Sequence, residues 1–161
     1  MNRIGDSLQH FEPNRELVGS LVQQRVEFVL IGGLAVAWYC TSRQADDMDL
    51  LVDSTAGNSE QVFKALGSLG LQGFQPTSFT RPGLQVPIKG RFYAELLTPL
   101  ATGPSYAEVR ATAVQAKLFG APISVASPAM LIRMKEQAVV ASLERGQKHL
   151  ADIACLRQHV A

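Results

Sequence analysis

Cysteine is scarce in this 161-residue chain: Cys40 and Cys155 are the two present, far apart in sequence. Two are too few and too far apart in sequence to suggest a disulfide framework or a zinc site, so a reducing, cytoplasmic setting is expected. The first thirty residues lack the apolar core of a secretory signal. No apolar run approaches the roughly 20 residues that span a bilayer, and a membrane role is not expected. An excess of one charge is also missing, with 15 Lys and Arg against 14 Asp and Glu. That balance excludes a broad basic field holding nucleic acid by phosphate neutralisation alone, and any such partner would need a local patch. With no repeat, low-complexity tract or linker, residues 1–161 read as a single domain.

Hydrophobic residues make up 47% of the chain, enough for a core without metal or disulfide staples. Asn14 can cap a first helix whose Leu17, Val18, Leu21 and Val22 form an apolar stripe. Val29, Leu30 and Ile31 then form a buried strand stopped by Gly32-Gly33, followed by a small apolar helix over Ala35 to Trp38. A second strand alternates, with Met48, Leu50 and Val52 facing one way and Asp47 and Asp49 the other. Asn58 or Ser59 starts the next helix, which Gly70 closes. Strands are predicted over 84–89 and 91–97 around a Gly90 turn, and again over 110–118 and 122–125. Ser127-Pro128 opens a helix running to about Leu143, and a last helix follows Gly146. The expected fold is therefore α/β: a small mixed sheet of about five strands flanked by helices, the last two beside the site.

Two carboxylates on one side of a strand suit a divalent metal, because hard oxygen ligands hold Mg²⁺ against a triphosphate. A third is expected from a neighbouring strand. Over 91–97, Arg91, Tyr93 and Glu95 share a face opposite Phe92, Ala94 and Leu96, making Glu95 the candidate. Taken alone, Asp-x-Asp is more often an acidic tip on a solvated strand, and Gly-Gly more often a plain turn. Their spacing connects them: thirteen residues separate Gly33 from Asp47, room for one short helix and a return that brings the glycine N–H groups beside the acids.

On these positions the chain resembles the minimal nucleotidyltransferases of the polymerase-beta superfamily. Their signature is a hydrophobic residue, Gly-Gly or Gly-Ser, a short helix and Asp-hydrophobic-Asp, here Ile31, Gly32, Gly33, Asp47, Met48 and Asp49. Within that superfamily it looks most like the bacterial branch that includes the nucleotidyltransferase toxins of abortive-infection systems. That likeness also covers Arg43, the strand AELLTPL and the ending SPAMLIRMKEQA with RGQKHLADIACL. Glu95 stands where the branch commonly has aspartate, Ala45 where it has threonine, and Lys148-His149 where it has Lys-Asp.

The resemblance implies Mg²⁺-dependent transfer of a nucleoside monophosphate from a nucleoside triphosphate (NTP) to an acceptor hydroxyl. Asp47, Asp49 and Glu95 would hold a two-metal site, with Gly32 and Gly33 near the triphosphate. The acceptor is a transfer RNA, a protein or a small molecule. An antitoxin partner protein is a further expectation, and the competing reading is an inactive nucleotide-binding or protein-interaction module of the same fold. Arg43 reads either as a phosphate contact or as a solvated loop residue. Lys135 borders an apolar helix face, where it acts near the acids, pairs with Asp152 or reaches solvent. Lys148 and Asp152, at i and i+4, read mainly as surface support. Trp38 and the phenylalanines read as core, and Tyr93 is a weaker candidate for stacking on a base.

Overall fold

In the computed structural model, described residues run from 13 to 160, except 44, 46, 89, 91 and 142–145, and the side chains of 139–148 also lie outside the description. The predicted strand positions of Lys89 and Arg91 and the helix end near Leu143 thus fall outside the described residues.

The elements are α1 (Asn14–Gln23), β1 (Phe28–Ile31), α2 (Gly32–Tyr39), β2 (Met48–Val52), α3 (Ala56–Ser68), β3 (Gln85–Ile88), β4 (Ala94–Leu97), α4 (Tyr106–Ala111), β5 (Val114–Leu118), β6 (Ala121–Val125), α5 (Pro128–Ala141) and α6 (Gly146–Arg157). Six strands form one mixed sheet in the order β3-β4-β2-β1-β6-β5, one strand more than expected. β1 pairs antiparallel with β2 and parallel with β6, while β2 pairs parallel with β4. The central strands are apolar on both faces because helices cover both: Val29, Leu30, Leu50, Val52 and Leu96 are fully buried.

On one side α1 packs on α3, and Leu17, Val18 and Leu21 of α1 are fully buried, each contributing roughly 1.5–3 kcal/mol over an exposed side chain. The Ser20 hydroxyl donates to the Ala65 carbonyl at 2.8 Å, tying the two helices together. On the other side α5 packs on α6, and both meet α2. The last two helices therefore lie together, as expected.

Several local expectations are corrected. Asn14 is not the cap of α1; that position belongs to Pro13, and the Asn14 side chain is buried between α1 and the approach to β4. There its amide donates to the Tyr93 carbonyl at 3.0 Å and accepts from the Tyr93 N–H at 2.9 Å. Two backbone groups of the approach to β4 outcompete one helix end for the same side chain. Likewise Thr55, not Asn58 or Ser59, caps α3, accepting from the Asn58 N–H at 3.3 Å. Asn58 instead closes the backbone of Glu27 and Asp53 across the end of the β1–β2 pair.

The strand expected over 110–118 begins only at Val114. Ser105 and Glu108 form a reciprocal capping box that makes 106–111 the short helix α4. Phe119 and Gly120, both at positive φ, then turn β5 into β6.

Cys40 and Cys155 are joined in a disulfide, although their number and spacing did not suggest a disulfide framework. Their separation of 115 residues hid this, because the packing of α6 against α2 brings the Cα atoms within 6.3 Å. The bond also removes the argument for a reducing setting that rested on these cysteines. Among the described residues no helix is long and apolar enough to cross a membrane.

Candidate active site

The β1–α2 junction sets the site. Val29, Leu30 and Ile31 bury into the sheet, and the chain enters α2 directly at Gly32, whose φ of +71° favours glycine. A Cβ at this position would overlap the Asp49 carboxylate, so glycine here provides the space that Asp49 occupies. At Gly33 a Cβ would lie 3.0 Å from an Nη of Arg43 and 3.8 Å from the Ala45 Cβ. The two glycines thus bring the start of α2 beneath a carboxylate on one side and a guanidinium on the other.

Sheet register brings the acids together. Asp49 on β2 is the direct partner of Glu95 on the parallel strand β4, and of Ile31 on β1. Neighbouring strands lie about 4.7–4.9 Å apart and residues in register share a face, so Asp49 and Glu95 stand side by side. Both are half-buried, while Met48, Leu50, Ala94 and Leu96 on the opposite face are buried. Gln85 on β3 donates to Glu95 Oε2 at 2.9 Å and steadies that carboxylate. Asp47 precedes β2 in an exposed bend, two residues before Asp49. Tyr93, two residues before Glu95, is 52% exposed.

Further along the same sheet face lies a groove of about 310 Å³. Ile31, Leu51 and Leu97 form its floor, the 98–104 loop and Gly83 one wall, and Met134, Gln137 and Ala138 of α5 the other. Leu51 and Leu97 follow Asp49 and Glu95 by two residues each, so the carboxylates and the groove are continuous on one face. Thr98, buried at the groove edge, donates to the Arg81 carbonyl at 2.6 Å and accepts from the Leu84 N–H at 2.9 Å.

The cations take a different arrangement. Asp152 of α6, 3% exposed, receives the Arg43 Nε at 2.8 Å on one oxygen and has the Lys135 Nζ at 3.1 Å from the other. The Lys135 contact is an ion pair rather than an aligned hydrogen bond. For Lys135, pairing with Asp152 is thus the alternative that the structure contains, and Arg43 is not a solvated loop residue. Asp152 is not simple surface support, and the Lys148 side chain lies outside the described residues. Pairing of Asp152 with Lys135 was among the alternatives the sequence offered, whereas its contact with Arg43, 109 residues away, was not anticipated. Gln85 was also missed, since a lone glutamine on a strand carries no signal.

The donor set suits Mg²⁺: the candidate ligands are hard carboxylate oxygens, two of them in register, with the Gly32 backbone leaving room at Asp49. Among the described residues the three carboxylates are not gathered within 4.8 Å of one another, and exposed Asp47 would have to complete the set.

No family model and no curated protein matches the chain. Among solved structures, it is similar to an antigenic nucleotidyltransferase-like protein from Paracoccidioides brasiliensis. The match has a TM-score of 0.57 at 19% identity and covers 89% of this chain and 75% of that one. The chain has a nucleotidyltransferase-like fold.

Proposed function

We propose that the protein is a metal-dependent nucleotidyltransferase that moves a nucleoside monophosphate from an NTP to an acceptor hydroxyl. The observation carrying this reading is the in-register pair of Asp49 and Glu95 on the central parallel strands, with the glycine start of α2 against Asp49. Two half-buried carboxylates side by side on neighbouring strands suit a bound cation, which an inactive scaffold has no need to hold.

Asp47, Asp49 and Glu95 would hold Mg²⁺, which when bound screens phosphate charge and polarises the phosphorus centre. The N–H groups at the start of α2 would meet the triphosphate with the favourable end of the helix dipole. Arg43 adds positive charge beside Gly33. Asp152 pairs with both Arg43 and Lys135, which fixes the positions of these two cations.

During transfer, the acceptor oxygen forms a bond to the α-phosphorus while the bond from that phosphorus to the bridging oxygen breaks and pyrophosphate leaves. The acceptor proton passes to Glu95 at Oε1, because Oε2 already accepts from Gln85. The apolar groove beyond Leu51 and Leu97, with Gln85 and Gln137 as polar contacts, would receive a planar base or the acceptor. Transfer RNA, protein and small-molecule acceptors all fit this chemistry, and a toxin–antitoxin or defence role would add an antitoxin partner.

The test supplies each α-labelled NTP with Mg²⁺ and cell extract and follows label into RNA, protein and small solutes. Wild type should transfer label, and Asp47→Ala/Asp49→Ala should not. Equal labelling by the two would sink the proposal. A second readout is thermal stabilisation by Mg²⁺ or Mn²⁺, expected for wild type and lost in the double variant.

A further inference from the structure

We infer that Cys40, Cys155 and His159 form a Zn²⁺ site when the two cysteines are reduced, the disulfide being the oxidised form of the same site. One ligand atom from each residue lies within 4.8 Å of the other two, the one such trio among the described residues. Sulfurs bound at about 2.3 Å to a tetrahedral zinc ion stand about 3.8 Å apart, a separation that Cα atoms 6.3 Å apart can give once the disulfide is reduced.

The elements explain how the trio arises. Cys155 and His159 are four residues apart at the end of α6, where the His159 N–H still donates to the Leu156 carbonyl at 2.9 Å and continues the helical turn. That spacing puts both side chains on one face. Cys40 closes α2, its N–H donating to the Val36 carbonyl at 2.8 Å, and the α2–α6 packing carries it to the same face. The His159 ring leans on Tyr39, ring centres 5.9 Å apart. Tyr39 is itself fixed by its hydroxyl, which donates to the Ala126 carbonyl at 2.9 Å.

Exposure is graded across the trio: Cys40 is buried, Cys155 half-buried and His159 exposed. A cation can therefore enter past His159, and water can take a fourth position. Two thiolates and an imidazole select a borderline-soft ion such as Zn²⁺ over Mg²⁺. Two thiolate charges also balance the ion, so no carboxylate is required. This site is separate from the acids and takes a different class of metal.

Zinc and the disulfide exclude one another. With a low-molecular-weight disulfide as oxidant, one protein thiolate attacks a sulfur of the oxidant and expels a small thiolate, forming a mixed disulfide. The second protein thiolate then displaces the other small thiolate. The Cys40–Cys155 bond forms, two electrons reside on the two released thiols, and Zn²⁺ leaves. In either state α2 remains tied to α6, and the Arg43–Asp152 contact lies three residues from each cysteine.

The experiment reduces the full chain, removes reductant without oxygen and titrates Co²⁺ as the probe. Expected are one Co²⁺ per chain with a thiolate-to-cobalt charge-transfer band, displacement by equimolar Zn²⁺, and release of bound Zn²⁺ when a small disulfide is added. Cys40→Ser should abolish the band. Because Cys40 is buried and its replacement can impair folding, His159→Ala at an exposed position is the second variant, expected to fold normally and bind Co²⁺ at least about tenfold more weakly. Absence of the band in reduced wild type overturns the inference, as does His159→Ala binding Co²⁺ as tightly as wild type.

Discussion

Removing the Asp152 carboxylate should destabilise the protein more than any single surface change. The acid is 4% exposed at its side chain, Arg43 18% and Lys135 10%, with contacts of 2.8 and 3.1 Å. Asp152→Ala leaves two poorly hydrated cations without this acid, and breaking a buried ion pair from one side costs about 3–5 kcal/mol. Against a total of about 5–15 kcal/mol for a domain, that is a substantial fraction. Asp152→Asn should cost less, because its amide oxygen can still accept from the Arg43 Nε. The exposed pair Lys64–Glu60, 3.4 Å apart, supplies the control, and Glu60→Ala should cost about 0.5 kcal/mol or less. Urea unfolding of the oxidised protein at low and high salt measures both. The buried effect should persist at high salt, whereas the surface effect should fade. A loss below about 1 kcal/mol for Asp152→Ala, or one that vanishes at high salt, would refute the view that this trio is desolvated.

Three further outcomes are expected. Gly32→Ala should cost at least about 2 kcal/mol, combining a left-handed backbone with overlap at Asp49, while Gly33→Ala should be nearly neutral because the flexible Arg43 tip can shift; thermal melts compare the two. Asn14→Ala should cost about 1–3 kcal/mol in urea unfolding, since it removes two hydrogen bonds made by a buried side chain, and no measurable loss would count against this. Burial pushes the Tyr39 hydroxyl up to about 12 from its ordinary value of 10.0. The folded state then holds this proton more tightly than the unfolded chain, so its contribution is complete below pH 10 and is lost as pH rises toward 12. In urea midpoints measured across that window, Tyr39→Phe should show a shallower decline than wild type.

Local pattern was enough for the elements around the candidate site. The run Val29-Leu30-Ile31 stopped by two glycines, and the alternation through Met48, Asp49 and Leu50, specify a strand, a helix start and a strand because period and backbone freedom are local properties. The Ser127-Pro128 helix start was legible for the same reason, with the Ser127 hydroxyl accepting from the Met130 N–H at 3.2 Å. The α4 capping box was equally local in Ser105 and Glu108, but the strand reading of 110–118 obscured it.

Pairings between distant segments depended on tertiary packing. The sequence determined that Asp49 and Glu95 lie on strand faces opposite buried residues, but strand order made them direct neighbours. Only the packing of α6 against α2 and α5 placed Asp152 between Arg43 and Lys135 and brought Cys155 and His159 to Cys40. A side chain's preference for helix, strand or cap is set by its near neighbours along the chain. Its partner in the core is set by which surfaces bury together, so a cysteine, an aspartate or Asn14 looks the same in sequence whether it faces water or closes a contact with a distant segment.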